Sequence, residues 1–273
     1  MTQGNGQSAP RDTAPRYDLV DEIVLPRPKL PGEVIVGSTA DDVIDHLAAD
    51  LVLHAANCVR HFGDFHLALS GGKTFDLLYR RLMYDPNYRS LPWRRTHLWF
   101  VDEHCVALDD ERSNYRLIRE TIGDHADIPR EQFHPILADS ETADRDYEAQ
   151  IREALAWREK GQDRLDYVLL TMEADGCTAG LFPDSPLLRE KKHLVRRSPG
   201  LDAASTDRVS LTAPFMNAAR FIAVLVTGSE KAEAVQRLAS GRETSDEMPI
   251  KGIAPMNGAL KWYLDGPACG RSV

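Results

Sequence analysis

The stretch that most constrains this chain is His66–Tyr79, HLALSGGKTFDLLY. Leu67, Ala68 and Leu69 close a short apolar run that reads as a buried strand. Ser70, Gly71, Gly72, Lys73 and Thr74 then form a tight polar turn, and Phe75, Leu77, Leu78 and Leu82 follow at helical spacing. A strand that passes through glycines into a helix makes an anion site, because first-turn N–H groups have no carbonyl partners. Glycine lets that backbone approach a ligand without a Cβ in the way. Ser70 and Thr74 add hydroxyls, and Lys73 adds a charge. The plainer alternative is an ordinary strand–helix turn with a Ser cap. Leu67 stands where a nucleotide P-loop needs glycine, and the G-x-G-x-x-G spacing of a dinucleotide fingerprint is missing. The loop therefore suits a small phosphorylated ligand rather than ATP or NAD.

The remaining segments repeat the same alternation. Val20–Leu25 and Glu33–Val36 are short β-prone runs separated by prolines. Ser38 or Thr39 caps a helix with Asp41 and Asp42 in its first turn and Val43, Leu47, Leu51 and Leu53 on its apolar face. His46 and His54 on that helix read as ordinary surface histidines and carry no metal expectation. His97–Val101 is an apolar strand ending at Asp102, Glu103 and His104, and Ser113, Asn114 and Tyr115 start a helix through Ile118. The two carboxylates are a catalytic pair or an ion-binding edge, since sites in open parallel sheets sit at the carboxyl ends of strands. Otherwise they form a salt bridge or cap the next turn. Phe133–Leu137 is a weak strand. Ala143–Trp157 is an amphipathic helix with Tyr147, Ile151, Ala154 and Leu155 inward. Leu165–Leu170, Val209–Leu211, Phe221–Val226 and Leu260–Leu264 are further strands, the last closing the sheet. Strands alternating with helices imply an α/β fold of three layers, a parallel sheet with helices on both faces. Residues 1–16 read as a disordered tail, and 17–273 as a single domain.

Composition narrows the partners. The chain has 273 residues, 42% hydrophobic and 27% charged, with a net charge of −9. That charge argues against nucleic acid or an anionic membrane, so a phosphate would need a local positive pocket. No apolar run approaches the roughly 20 residues that span a bilayer. Met1–Arg16 has no apolar core of a secretory signal. Cys58, Cys105, Cys177 and Cys269 are scattered without a C-x-x-C pair, which fits a reduced, cytoplasmic protein.

With these segments in order, a likeness emerges. SGGKT at 70–74, VDEHCVALDDERSNYRLIRE at 101–120, DGCTAGLFP at 175–183, RVSLT at 208–212, TGSEKA at 227–232 and MPIKGIAPMNGALKWYLD at 248–265 resemble 6-phosphogluconolactonases. These form the lactonase branch of the glucosamine-6-phosphate isomerase/6-phosphogluconolactonase superfamily. The likeness is collinear over nearly all of residues 20–265. It implies a NagB-like, modified Rossmann fold and hydrolysis of 6-phospho-D-glucono-1,5-lactone in the oxidative pentose phosphate pathway, with no metal or organic cofactor. The partner implied is a small phosphorylated sugar lactone, and a monomer is expected. The isomerase branch carries an FNEP-like segment where this chain has Ala179–Pro183, AGLFP, which looks like the lactonase version.

The resemblance also assigns residues. Ser70, Gly71, Gly72 and Thr74 match the phosphate loop, with Arg208 and Lys231 as cationic partners and Asp102, Glu103 and Gly176 in substrate-binding positions. Asp175 keeps the place of the aspartate beside the general base. The chain departs from the pattern G-M-G-x-D-G-H-T-A-S-L-F-P: its first two glycines are Thr171 and Glu173, and its histidine is Cys177. His104 stands for the usual Arg, Phe75 for a Pro, and Gly252–Pro255 for L-V-R-P.

Lactone hydrolysis is acyl transfer to water, which needs a base, oxyanion donors and a phosphate anchor. Cys177 is a weak thiolate base, a nucleophile that forms a thioester if nearby charge lowers its pKa, or an inert buried filler. His104 is the substitute base if the two replacements compensate. The set His104, Cys105 and Cys177 is also a conceivable zinc group. The alternative function is a catalytically weak or inactive sugar-phosphate-binding homologue, a sensor or partner of a pentose-phosphate enzyme.

Overall fold

The computed structural model describes residue 1, residues 27–200 and residues 206–270. The expectations for residues 2–16 and for Val20–Leu25 lie outside the described residues. Strand β1 (Glu33–Gly37) leads into helix α1 (Ala40–Phe62). Thr39 caps this helix: its Oγ1 accepts from the Asp42 amide at 3.2 Å, and Asp42 Oδ2 accepts from the Thr39 amide at 2.9 Å. Gly63, in the left-handed region at φ 89°, ends it. The buried face of α1 includes Val43, Leu47 and Leu51, but Leu53 is 60% exposed. Two residues beyond Leu51 is about 200° around a helix, so Leu53 points away from the core. Leu77, about 100° around its own helix from the buried Leu78, is 39% exposed.

Strand β2 (Phe65–Leu69) precedes α2 (Asp76–Tyr84), then β3 (Thr96–Phe100), β4 (Asp102–His104), α3 (Asn114–Ile118), β5 (Phe133–His134) and α4 (Ala143–Leu155). The chain continues through β6 (Tyr167–Thr171), β7 (Val195–Ser198), β8 (Arg208–Leu211), α5 (Ala213–Asn217), β9 (Phe221–Val226), α6 (Ala232–Ser240) and β10 (Ala259–Asp265). Tyr147, Ile151 and Leu155 are the buried face of α4, whereas Trp157 lies beyond its end and is 90% exposed.

A seven-stranded sheet has the order β1-β10-β9-β6-β2-β3-β5, and all its pairings are parallel. Helices flank it, which makes this the expected α/β fold. Strands β2 and β9 are buried at every residue, as both faces of a parallel sheet require. Strand β10 does not close the sheet, as its position in the chain implied. It lies between β1 and β9, and β1 forms the edge. From β2 the chain steps outward through β3 to β5, then returns to β6 and steps the other way to β9 and β10. The neighbours β2 and β6 therefore mark a topological switch point, where the connections leave in opposite directions and open a crevice at the carboxyl ends.

A second sheet, β4-β8-β7, is antiparallel. It corrects two expectations. Asp102–His104 forms a short strand of its own beyond β3, and Val209–Leu211 belongs to this sheet rather than to the parallel one. The Leu211 amide donates to Val101 O at 2.8 Å and ties the small sheet to the end of β3.

At the opposite, amino end of the strands, histidines stack. The His66 and His97 ring centroids are 4.5 Å apart, those of His97 and His134 5.3 Å, and Trp99 covers His134 at 3.8 Å. Burial, then the neighbouring His66, pushes His97 down to about 4. Burial, then His97 and His66, pushes His134 down to about 3. In the unfolded chain both titrate near about 6.5. Below that pH the unfolded state binds more protons. Their contribution is thus complete above about pH 6.5 and lost as pH falls toward the folded values. The thermal midpoint is expected to drop through this window, and a His97→Phe/His134→Phe double variant should show a shallower acid limb.

Candidate active site

The carboxyl ends of β2, β6 and β3 converge on a cavity of about 160 Å³. It is lined by Ser70, Gly71 and Gly72 after β2, by Thr171, Glu173, Cys177, Thr178, Ala179 and Phe182 from the segment after β6, and by Asp102, His104, Asn114 and Arg208. Of the residues singled out from the sequence, the structure brings Ser70, Gly71, Gly72, Asp102, His104, Cys177 and Arg208 to this cavity. Thr74, Glu103, Asp175, Gly176 and Lys231 are not part of its lining.

The loop after β2 keeps its bare amides. Gly72 sits at φ 98°, a conformation open to glycine, and the chain then enters a turn at Lys73–Phe75 before α2. Among the described residues, the Gly71 and Gly72 amides donate no hydrogen bond. A Cβ on Gly71 would come within 1.9 Å of Asn114 Oδ1, so only glycine fits against that side chain. Asn114 is itself fixed, since its Nδ2 donates to Asp102 O at 2.8 Å. Ser70 does not offer its hydroxyl to a ligand. Its Oγ donates to Leu169 O at 2.8 Å and stitches β2 to β6 across the switch point. Lys73 is exposed.

The acidic strand divides its two carboxylates between different tasks. Asp102 accepts from Arg208 Nη1, an ion pair across the small sheet at the cavity wall. Glu103 points the other way and is fully buried. It accepts from the Asn114 amide at 2.8 Å, the Tyr115 amide at 2.7 Å, the His104 amide at 2.8 Å and Ser113 Oγ at 3.1 Å. It therefore anchors the start of α3 and takes no place at the cavity. Burial pushes its carboxyl up to about 7, against the pull of those amides.

His104 lies opposite Arg208 in the register of β4 and β8. Its Nδ1 is 2.7 Å from Thr206 Oγ1. Burial, then the Arg208 charge, lowers its pKa, so the imidazole is neutral at neutral pH. Cys177 is nearly buried, and its Sγ–H donates to Asp175 Oδ2 at 2.9 Å, while its amide donates to Oδ1 at 2.9 Å. Burial first, then the Asp175 hydrogen bond and the charges of Asp175 and Glu173, push the thiol well above its ordinary value. A group held so firmly as the thiol is a poor nucleophile and a poor base.

Lys231 is buried at the N-cap of α6, and its Nζ donates to Glu173 Oε2. Asn114, Thr178, Ala179 and Phe182 join the lining without being candidates on sequence grounds. Asn114 had a visible signal, because it opens the helix that follows the acidic strand. The proposed zinc set does not converge: Cys105 Sγ accepts from Arg197 Nη1 at 2.7 Å. Elsewhere, ligand atoms of Asp64, His66 and His97 lie within 4.8 Å of one another. Trp99 Nε1 donates to His66 Nδ1 at 3.0 Å, which leaves the ring proton on Nε2, 3.3 Å from Asp64 Oδ2. That Nε2 is a donor, so the cluster is a hydrogen-bonded stack rather than a ligand set.

A parallel sheet with a glycine-lined cavity at its switch point defines a modified Rossmann, NagB-like α/β protein. The chain belongs to the family Glucosamine-6-phosphate isomerases/6-phosphogluconolactonase, whose profile matches residues 38–262. It is similar to probable 6-phosphogluconolactonase 2 of Oryza sativa subsp. indica, at 30% identity over 256 residues, covering 89% of this chain and 91% of that protein. It is also similar to the GDH/6PGL endoplasmic bifunctional protein of Homo sapiens, 36% identical over 244 residues. That alignment covers 88% of this chain but spans only 30% of the human protein's length. Among solved structures, "Crystal Structure of devB protein" superposes with a TM-score of 0.76 at 29% identity, covering 88% of this chain and 99% of that one.

Proposed function

We propose that this chain is a 6-phosphogluconolactonase that hydrolyses 6-phospho-D-glucono-1,5-lactone to 6-phosphogluconate in the oxidative pentose phosphate pathway. The observation that carries this reading is the cavity itself: Gly71 and Gly72, whose amides donate no hydrogen bond among the described residues, and Arg208 line one cavity at the switch point of a chain belonging to this family. The amides and the guanidinium suit one phosphoryl group, the second through bidentate contact. Among the described residues no helix is long and apolar enough to cross a membrane. We read residues 17–273 as one domain acting as a cytoplasmic monomer. A net charge of −9 disfavours nucleic acid as a partner.

In this reading His104 is the base. It takes a proton from water as the oxygen attacks C1 of the lactone, and the tetrahedral oxyanion forms. Collapse breaks the bond from C1 to the ring oxygen, which receives the proton back from His104. The product acid then ionises. Its lowered pKa keeps the imidazole ready to accept a proton at neutral pH. Cys177, held as a thiol by burial and Asp175, takes no proton in this scheme.

The test is a rate assay on freshly generated lactone with spontaneous hydrolysis subtracted. The wild-type chain should exceed the background, and His104→Ala should lose about a hundredfold in kcat, the usual share of a general base. Binding of 6-phosphogluconate without turnover would instead select a sugar-phosphate-binding protein.

A further inference from the structure

A phosphoryl dianion needs uncompensated positive charge, yet Arg208 at the cavity and Lys231 behind its lining are both already engaged. Arg208 is paired with Asp102, and Lys231 with Glu173. The two pairs differ in kind. Asp102 is buried and fixed in β4. Glu173 has a side chain 54% exposed, whereas the side chain of Lys231 is 8% exposed. A buried ammonium must have an acceptor, but an exposed carboxylate loses little by returning to water.

The backbone holds Glu173 at this place. Its amide donates to Cys177 O at 2.9 Å, and its carbonyl accepts from the Gly176 amide at 2.9 Å. Gly176 is at φ 89°, and a Cβ there would lie 2.6 Å from Met248, so the turn is clamped from behind. Glu173 lines the cavity and Lys231 does not. The carboxylate thus stands between the ammonium and any ligand.

We propose that Glu173 is a latch on the phosphate subsite: it occupies Lys231 in the empty protein and must be displaced by a phosphoryl oxygen before the ligand seats. This rests on the lactonase reading and adds a specificity device to it. A phosphoryl dianion replaces the carboxylate with a stronger acceptor for Lys231. An unphosphorylated sugar lactone offers no charge to exchange and leaves the latch shut. The same exchange weakens binding of every phosphorylated ligand, because each must first break the ion pair.

Calorimetric titration of wild type, Glu173→Gln, Glu173→Gly and Lys231→Met tests this with two probes, 6-phosphogluconate and inorganic phosphate. Thermal midpoints check that each variant is folded. Both Glu173 variants should bind both probes about tenfold more tightly, roughly 1.4 kcal/mol. Lys231→Met should bind them more weakly than wild type. In the lactone assay, kcat/KM of the Glu173 variants should rise through a lower KM. Unchanged or weaker affinity in both Glu173 variants would overturn the latch. Failure of the lactonase reading looks different, since a wild-type chain without turnover would still reveal the latch through the phosphate titrations.

Discussion

Replacing Cys177 with histidine is expected to raise kcat for lactone hydrolysis by about ten- to a hundredfold, within the range of a well-placed general base. The reason is the carboxylate already in place. Asp175 Oδ2 lies 2.9 Å from Cys177 Sγ, where it would accept an imidazole N–H and leave the other ring nitrogen free to accept a proton. Burial, the Asp175 hydrogen bond and the charges of Asp175 and Glu173 raise the pKa of the native thiol and favour its protonated form. The measurement is kcat against pH for wild type, Cys177→His and the Cys177→His/His104→Ala double variant. A gain in the first that survives in the second would place the new base at position 177. A gain that vanishes with His104 would mean that the new ring acts only through its neighbour. The wild-type thiol should also react with iodoacetamide no faster than a model thiol.

The largest loss of stability is expected from Asp166→Ala, about 3–5 kcal/mol. Asp166 has a fully buried side chain at the amino end of β6, on the face away from the cavity. Its Oδ1 accepts from Arg158 Nη1 at 2.8 Å and from Arg220 Nε at 2.8 Å. Its Oδ2 accepts from Arg158 Nη2 at 2.7 Å and from the His66 amide at 2.7 Å. Truncation would strand two guanidinium groups and one amide. Arg158, 5% exposed, would be left with Asp64 as its ion partner. At roughly 2–4 °C per kcal/mol for a chain of this size, the thermal midpoint should fall by about 10 °C. A midpoint within about 2 °C of wild type would show that the network stores little of the fold's stability. The lactone assay below the new midpoint should be little changed, since these groups are remote from the cavity.

Much of the architecture was legible because it is local. Ser38 or Thr39 with Asp41 and Asp42 marked the start of α1, where the structure selects Thr39, and the run at Phe221–Val226 marked a strand, which is buried at every residue. Residue types alone mark the glycine loop after Leu69 as a candidate anion site, and in the structure the Gly71 and Gly72 amides donate no hydrogen bond among the described residues. What misled were positions whose fate depends on partners far along the chain. Val209–Leu211 has the pattern of any apolar strand, and only its pairing with Asp102–His104 puts it in a second, antiparallel sheet. Ser70 looked like a ligand hydroxyl, yet a carbonyl 99 residues away takes its proton. Asp102 and Glu103 are adjacent carboxylates, and strand alternation sends one to the cavity and the other into the start of α3.

The sequence by itself determined most of the alternation of strands and helices and the glycine-rich turn after β2, because periodicity and spacing are properties of neighbours in the chain, and its collinear motifs carried the resemblance to the family. Only the tertiary structure decided which charges meet. It put Glu173 on Lys231, Asp102 on Arg208 and His104 beside the cavity. Electrostatic partnership depends on distance through space, and the switch between β2 and β6 brings together segments that lie about a hundred residues apart in the chain.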